Sequence, residues 1–186
     1  MSSETIEPIS VFPDTNALLA MIIFPTDRGG RPTLAGEVKE LYDQGAFELI
    51  LSQVTGEELR KVVARDLPEH RELVEHFLKP FEDQFTRWPT REEVDEVLPY
   101  CTDPDDTPII AAAILSKPDV EPNNEHEEPQ GTYIVLSNDF ETFHTERAKE
   151  LWARHEIQLE SLYGLLCVFG KRERKDEQEQ GASPAD

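Results

Sequence analysis

The chain has 186 residues, of which 38% are hydrophobic and 31% charged, and its formal net charge at pH 7 is −21. That much apolar material excludes a wholly disordered chain and suits one compact domain. The acidic excess excludes nucleic-acid binding through a broad basic face, because phosphate contacts need local positive potential. Two cysteines, Cys101 and Cys167, are far apart and lack C-x-x-C spacing. Neither a disulfide framework nor a structural zinc site is expected, and both thiols read as buried small hydrophobes in a reducing compartment. The first residues are acidic where a secretory leader is basic, and the apolar stretches at residues 17–24 and 109–115 are too short to span a bilayer. A cytoplasmic protein with no membrane partner is the expectation.

The pattern of apolar residues predicts alternating strands and helices. Residues 1–8 are polar and expected to be flexible. Ile9 to Phe12 is a short apolar run ending at Pro13-Asp14 and reads as a buried strand, followed by a helix over residues 17–23 that Pro25 stops. Residues 26–33, with Gly29-Gly30 and two arginines, predict a flexible loop. Leu34, Val38 and Leu41 have helical spacing, with Gly45 as the stop. Residues 47–51 (FELIL) predict the second strand, residues 57–64 a helix, and Pro68 opens another helical stretch to Leu78. Phe85 to Trp88 reads as a short third strand, and Thr90-Arg91-Glu92-Glu93 fits a capping box. Thr107-Pro108 opens an apolar helix. Residues 117–131, rich in Pro, Asn and Glu, predict a mobile acidic insertion; YIVL at 133–136 predicts a strand. A helix at 146–155, a strand at 157–159 and a helix at 161–169 complete a domain spanning residues 9–170. Residues 171–186 form a charged tail expected to be disordered. The class is α/β: a single domain with a central, mainly parallel sheet of about four to five strands flanked by helices.

On so acidic a chain, the placement of carboxylates carries more information than their number. Asp14 follows the first strand, Asp139 follows the YIVL strand, and Asp103, Asp105 and Asp106 cluster before the alanine-rich helix. In open α/β sheets the ligand crevice lies at the carboxyl ends of the strands. Glu57 and Glu58 lie early in a helix able to face that crevice. Each Asp taken singly reads more simply as a helix N-cap, and each Glu as solvated helix surface. The conjunction is what points to a site.

The arrangement resembles the PIN-domain family of metal-dependent nucleases. The residues that carry the resemblance are 11–16 (VFPDTN), 51–59 (LSQVTGEEL), 103–113 (DPDDTPIIAAA) and 135–143 (VLSNDFETF). The resemblance implies four metal-binding, catalytic acids, Asp14, Glu58, Asp106 and Asp139, with Glu57 as the fallback for Glu58. It also implies auxiliary ligands at Asp103 and Glu141, and supporting roles for Asn16 and Ser137 behind the acids. Asn138 departs from the Gly found in many relatives. Hard oxygen ligands favour one or two Mg²⁺ or Mn²⁺ ions.

The resemblance implies endonucleolytic cleavage of RNA to 5′-phosphate and 3′-hydroxyl ends, a homodimer, and service as the toxin of a toxin–antitoxin pair with an antitoxin partner. Two alternatives stand beside it. One is a catalytically silent interaction module of the same fold, suggested by the net charge. The other is a metal-dependent phosphatase of the haloacid dehalogenase type, which usually has a second Asp where this chain has Asn16. Candidate RNA contacts are Arg28, Arg31, Lys61, Arg65, Arg87 and Trp88, and His144 is the histidine placed nearest the crevice.

Overall fold

The computed structural model describes residues 9–118 and 131–170. The expected flexible N-terminus, the body of the 117–131 insertion and the 171–186 tail lie outside the described residues. Lys117, at the edge of the insertion, is described and anchored: its Nζ donates to the carbonyl of His155 at 2.8 Å.

Four strands form one parallel sheet: β1 (Ile9–Pro13), β2 (Glu48–Leu49), β3 (Thr132–Leu136) and β4 (Gln158–Glu160), in the order β2-β1-β3-β4. β1 and β3 are central and almost wholly buried, as near-continuous apolar runs covered on both faces require. Eight α-helices accompany the sheet among the described residues. They are α1 (Thr15–Ile23), α2 (Leu34–Asp43), α3 (Gln53–Asp66), α4 (Arg71–Leu78), α5 (Arg91–Val97), α6 (Thr107–Leu115), α7 (Glu146–Arg154) and α8 (residues 162–170).

Side chains alternate across the strands and sort the helices into two layers. Val11, Ile134 and Leu136 pack with Ala17 and Met21 of α1, Val38 of α2 and Leu165 of α8. Phe12, Tyr133 and Val135 face the other way, onto the Ile109–Ala113 stretch of α6 and onto Leu151 and Trp152 of α7. The helix after β1 and the helix after β3 therefore lie on opposite faces of two adjacent strands. That divergence opens a crevice at their carboxyl ends.

Several local expectations need correction. Phe85–Trp88 is not a strand; it makes a single parallel bridge, Ser52 to Thr86, before turning into the α5 cap. The helix expected to hold residues 57–64 is present as α3 and begins four residues before Glu57, because Ser52 caps it by accepting from the backbone N–H of Thr55. The loop at 26–33 is closed by an antiparallel bridge, Thr26 to Pro32, and by Asp27 accepting from the N–H groups of Gly29 and Arg31. Cys101 and Cys167 are free but half-buried rather than enclosed. The capping box at Thr90 and Glu93 forms with both of its hydrogen bonds.

Candidate active site at the carboxyl ends of β1 and β3

Register brings the first two acids together. Pro13 pairs with Leu136, so Asp14 and Ser137 leave the sheet side by side, and the Asp14 N–H donates to the Leu136 carbonyl at 2.9 Å. The Asp14 carboxylate is only 3% exposed. One of its oxygens accepts from the Ala17 N–H at 2.6 Å, capping α1, and the other accepts from the Ser137 hydroxyl. Burial is the largest cause that pushes Asp14 up from 3.8 to about 6; the two hydrogen bonds hold it down, and the charges of Asp139 and Asp106 push it further up.

Ser137 is fully buried and serves two acids at once. While its hydroxyl donates to Asp14, the same oxygen accepts from the Asp139 N–H at 3.0 Å. Asp139 then turns its loop: its Oδ1 accepts from the N–H groups of Glu141 and Thr142 at 2.9 and 3.0 Å. The Thr142 hydroxyl reaches across to Asp106 Oδ2 at 3.0 Å. On the other side, the Thr15 hydroxyl donates to Glu58 Oε2 at 2.5 Å. Two buried threonines, one opening α1 and one in the loop after β3, thus hold Glu58 of α3 and Asp106 before α6.

The N-cap explanation fails for Asp106. It precedes α6, yet its side chain makes no capping hydrogen bond. Its carboxyl is held above the usual carboxylate range by partial burial first, then by the charges of Asp103, Asp139 and Glu58, against the lowering bond from Thr142. Asp106 therefore lies within electrostatic reach of Asp139 and Glu58, and Asp14 within reach of Asp106 and Asp139.

The remaining candidates divide. Glu57 is exposed and turned away, accepting from the Trp88 indole N–H at 3.3 Å, with Lys61 at 3.9 Å. Asp103 is exposed and caps a short 3-10 turn by accepting from the Asp105 N–H, while its charge still bears on Asp106. Glu141 is exposed and enters the network through its N–H rather than its carboxylate. Asn16, expected to support Asp14, is exposed and makes no side-chain hydrogen bond among the described residues. Asn138 caps α8, its Oδ1 accepting from the Leu162 N–H at 3.1 Å. Thr15 and Thr142 escaped the sequence reading. The only signal was adjacency, a hydroxyl beside Asp14 and another three residues after Asp139.

The candidate cations are mostly spent on neighbouring carboxylates: Arg31 on Asp27, Lys61 on Glu57, Arg65 on Asp66 and Arg87 on Glu93.

A family model of the PIN domain matches residues 10–120. The chain belongs to the PIN-domain family. PIN domains have a nuclease-type fold and are generally nucleases. The matched PIN region contains Asp14, Glu58, Asp103 and Asp106, whereas Asp139 lies beyond it and enters the site through the β1–β3 register. Comparison with curated proteins gave no match. Among the described residues no helix is long and apolar enough to cross a membrane.

The donor chemistry of this PIN site fits a hard divalent cation. Glu58, Asp106 and Asp139 each commit one carboxylate oxygen to a protein hydrogen bond, leaving the second without one among the described residues. Among the described residues no three acidic, histidine or cysteine side chains stand as a ready metal-holding group.

Proposed function

We propose that this protein is a Mg²⁺- or Mn²⁺-dependent endoribonuclease and that Asp14, Glu58, Asp106 and Asp139 hold one or two ions. The observation that carries this reading is the chain of hydroxyl bridges linking four acids from separate elements at one crevice. Helix capping alone requires no such links.

A bound divalent ion lowers the pKa of a water near neutrality and offsets charge on the leaving oxygen of a phosphodiester. The chain's own part is positioning. Ser137 fixes Asp14 and, through the Asp139 N–H, sets the loop after β3. Thr142 aims Asp106, and Thr15 aims Glu58. With Asp14 raised to about 6, that carboxylate is ionised and able to bind a cation above this pH and increasingly protonated below it. No side-chain nucleophile is required.

The proposal extends to the setting that the PIN resemblance implies: a homodimer serving as the toxin of a toxin–antitoxin pair in the cytoplasm, with an antitoxin protein covering the acidic crevice. A second reading, a silent PIN-fold interaction module, draws on the lack of a ready metal-holding group among the described residues. Incubation of the purified protein with RNA and Mn²⁺ separates the two. The nuclease reading expects fragments with 5′-phosphate and 3′-hydroxyl ends, formation of which stops with EDTA and resumes with excess Mn²⁺. Intact RNA throughout favours the silent module.

A further inference from the structure

Phe140 directly follows Asp139 and is 62% exposed. It does not hang loosely from its loop. Its ring stacks on His144, with centroids 4.4 Å apart and 28° between the planes. His144 is fixed in turn: its Nε2–H donates to the Ser137 carbonyl at 2.8 Å, the acceptor dictating which nitrogen carries the hydrogen. One residue thus anchors both functions. The Ser137 hydroxyl sets Asp14, and its carbonyl sets the imidazole that braces Phe140.

We propose that the outer face of Phe140 is a stacking platform for an unpaired nucleobase of the bound RNA. The inference rests on the nuclease reading above. The sequence neighbours of Phe140 are polar: Asn138 and Glu141 are exposed and Asp139 is half-buried. A base needs only one π-face, and the His144 brace on the Ser137 carbonyl holds this ring beside the residue that also binds Asp14. Stacking also answers an electrostatic difficulty. On a chain of net charge −21, where Arg31, Lys61, Arg65 and Arg87 are paired with carboxylates, a neutral contact adds affinity without a basic groove. Bases locked in a duplex cannot present a face to the ring.

The test measures fluorescence anisotropy of a labelled single-stranded oligoribonucleotide with the full chain, in an Asp14→Asn background that keeps the strand intact. Phe140→Ala is expected to weaken binding about tenfold or more, the scale of one base–aromatic stack. Phe140→Trp is expected to retain parental affinity, and Phe140→Leu, apolar but without a π-face, to bind like the alanine variant. An oligonucleotide with one abasic position at the stacked nucleotide reproduces the loss, and Phe140→Ala then costs nothing further. Equal binding by Phe140→Ala, parental binding by Phe140→Leu, or a loss independent of the abasic position overturns the proposal. Failure of the nuclease reading looks different, because the parent chain itself would then leave RNA intact in Mn²⁺.

Discussion

Asp14→Asn is expected to end cleavage and, in the metal-free protein at pH 8, to raise the melting temperature. The two effects share one cause. The Asp14 carboxyl ionises at about 6 in the folded chain against an ordinary 3.8. Below 3.8 both folded and unfolded chains hold the proton, and the stability of the neutral site is fully present. As pH rises through about 6 the folded chain must carry a buried anion, and that stability is lost. At 1.36 kcal/mol per pH unit the loss comes to about 3 kcal/mol.

Asparagine never carries this charge, and it keeps an oxygen for the Ala17 N–H and an amide group to meet Ser137. At roughly 2–4 °C per kcal/mol for a chain of this size, the variant gains several degrees at pH 8 and nothing near pH 4. Mn²⁺ is expected to raise the melting temperature of the parent but not of the variant. Loss of partners behind metal ligands already costs about 10–100-fold. Loss of the most buried of the four acids is expected to cost more. Parental cleavage by Asp14→Asn, or a lower melting temperature at pH 8, contradicts this account of the residue.

Ser137→Ala is expected to lower cleavage about 10–100-fold without removing any carboxylate. The substitution leaves an oxygen of buried Asp14 and the Asp139 N–H without their shared partner, at about 1–3 kcal/mol of stability. The diagnostic readout is the pH profile. The Ser137 bond holds the Asp14 carboxyl down, so its removal moves the acid limb of the profile toward higher pH. A residue that only filled space would reduce the rate and leave the limb in place.

Much of this arrangement is legible in the residues themselves. β1, β3 and α6 are apolar runs buried on nearly every side, so hydrophobicity alone identifies them, and they carry Asp14, Ser137 and Asp106 at their ends. Where burial is one-sided, the pattern misleads. Phe85–Trp88 alternates like a strand, but Trp88 is 41% exposed and Arg87 is spent on Glu93, leaving one bridge. β2 is an edge strand of two residues where five apolar-rich residues suggested more. The choice between Glu57 and Glu58 turns on α3 beginning at Gln53, which sets the rotation of both carboxylates. The threonine bridges were illegible because their partners are distant: 43 residues separate Thr15 from Glu58, and 36 separate Thr142 from Asp106. Hydroxyls near acids are common in any chain, and only the fold determines which acid each one meets.

Calorimetric titration of Mn²⁺ into the metal-free protein at pH 8 addresses the central claim, that four carboxylates from separate elements act as one cation site. Saturable binding is expected in the parent, with loss of saturation in Asp14→Asn and in Asp139→Asn while both variants remain folded. Heats that never saturate in the parent, or equal affinity in all three proteins, would contradict it.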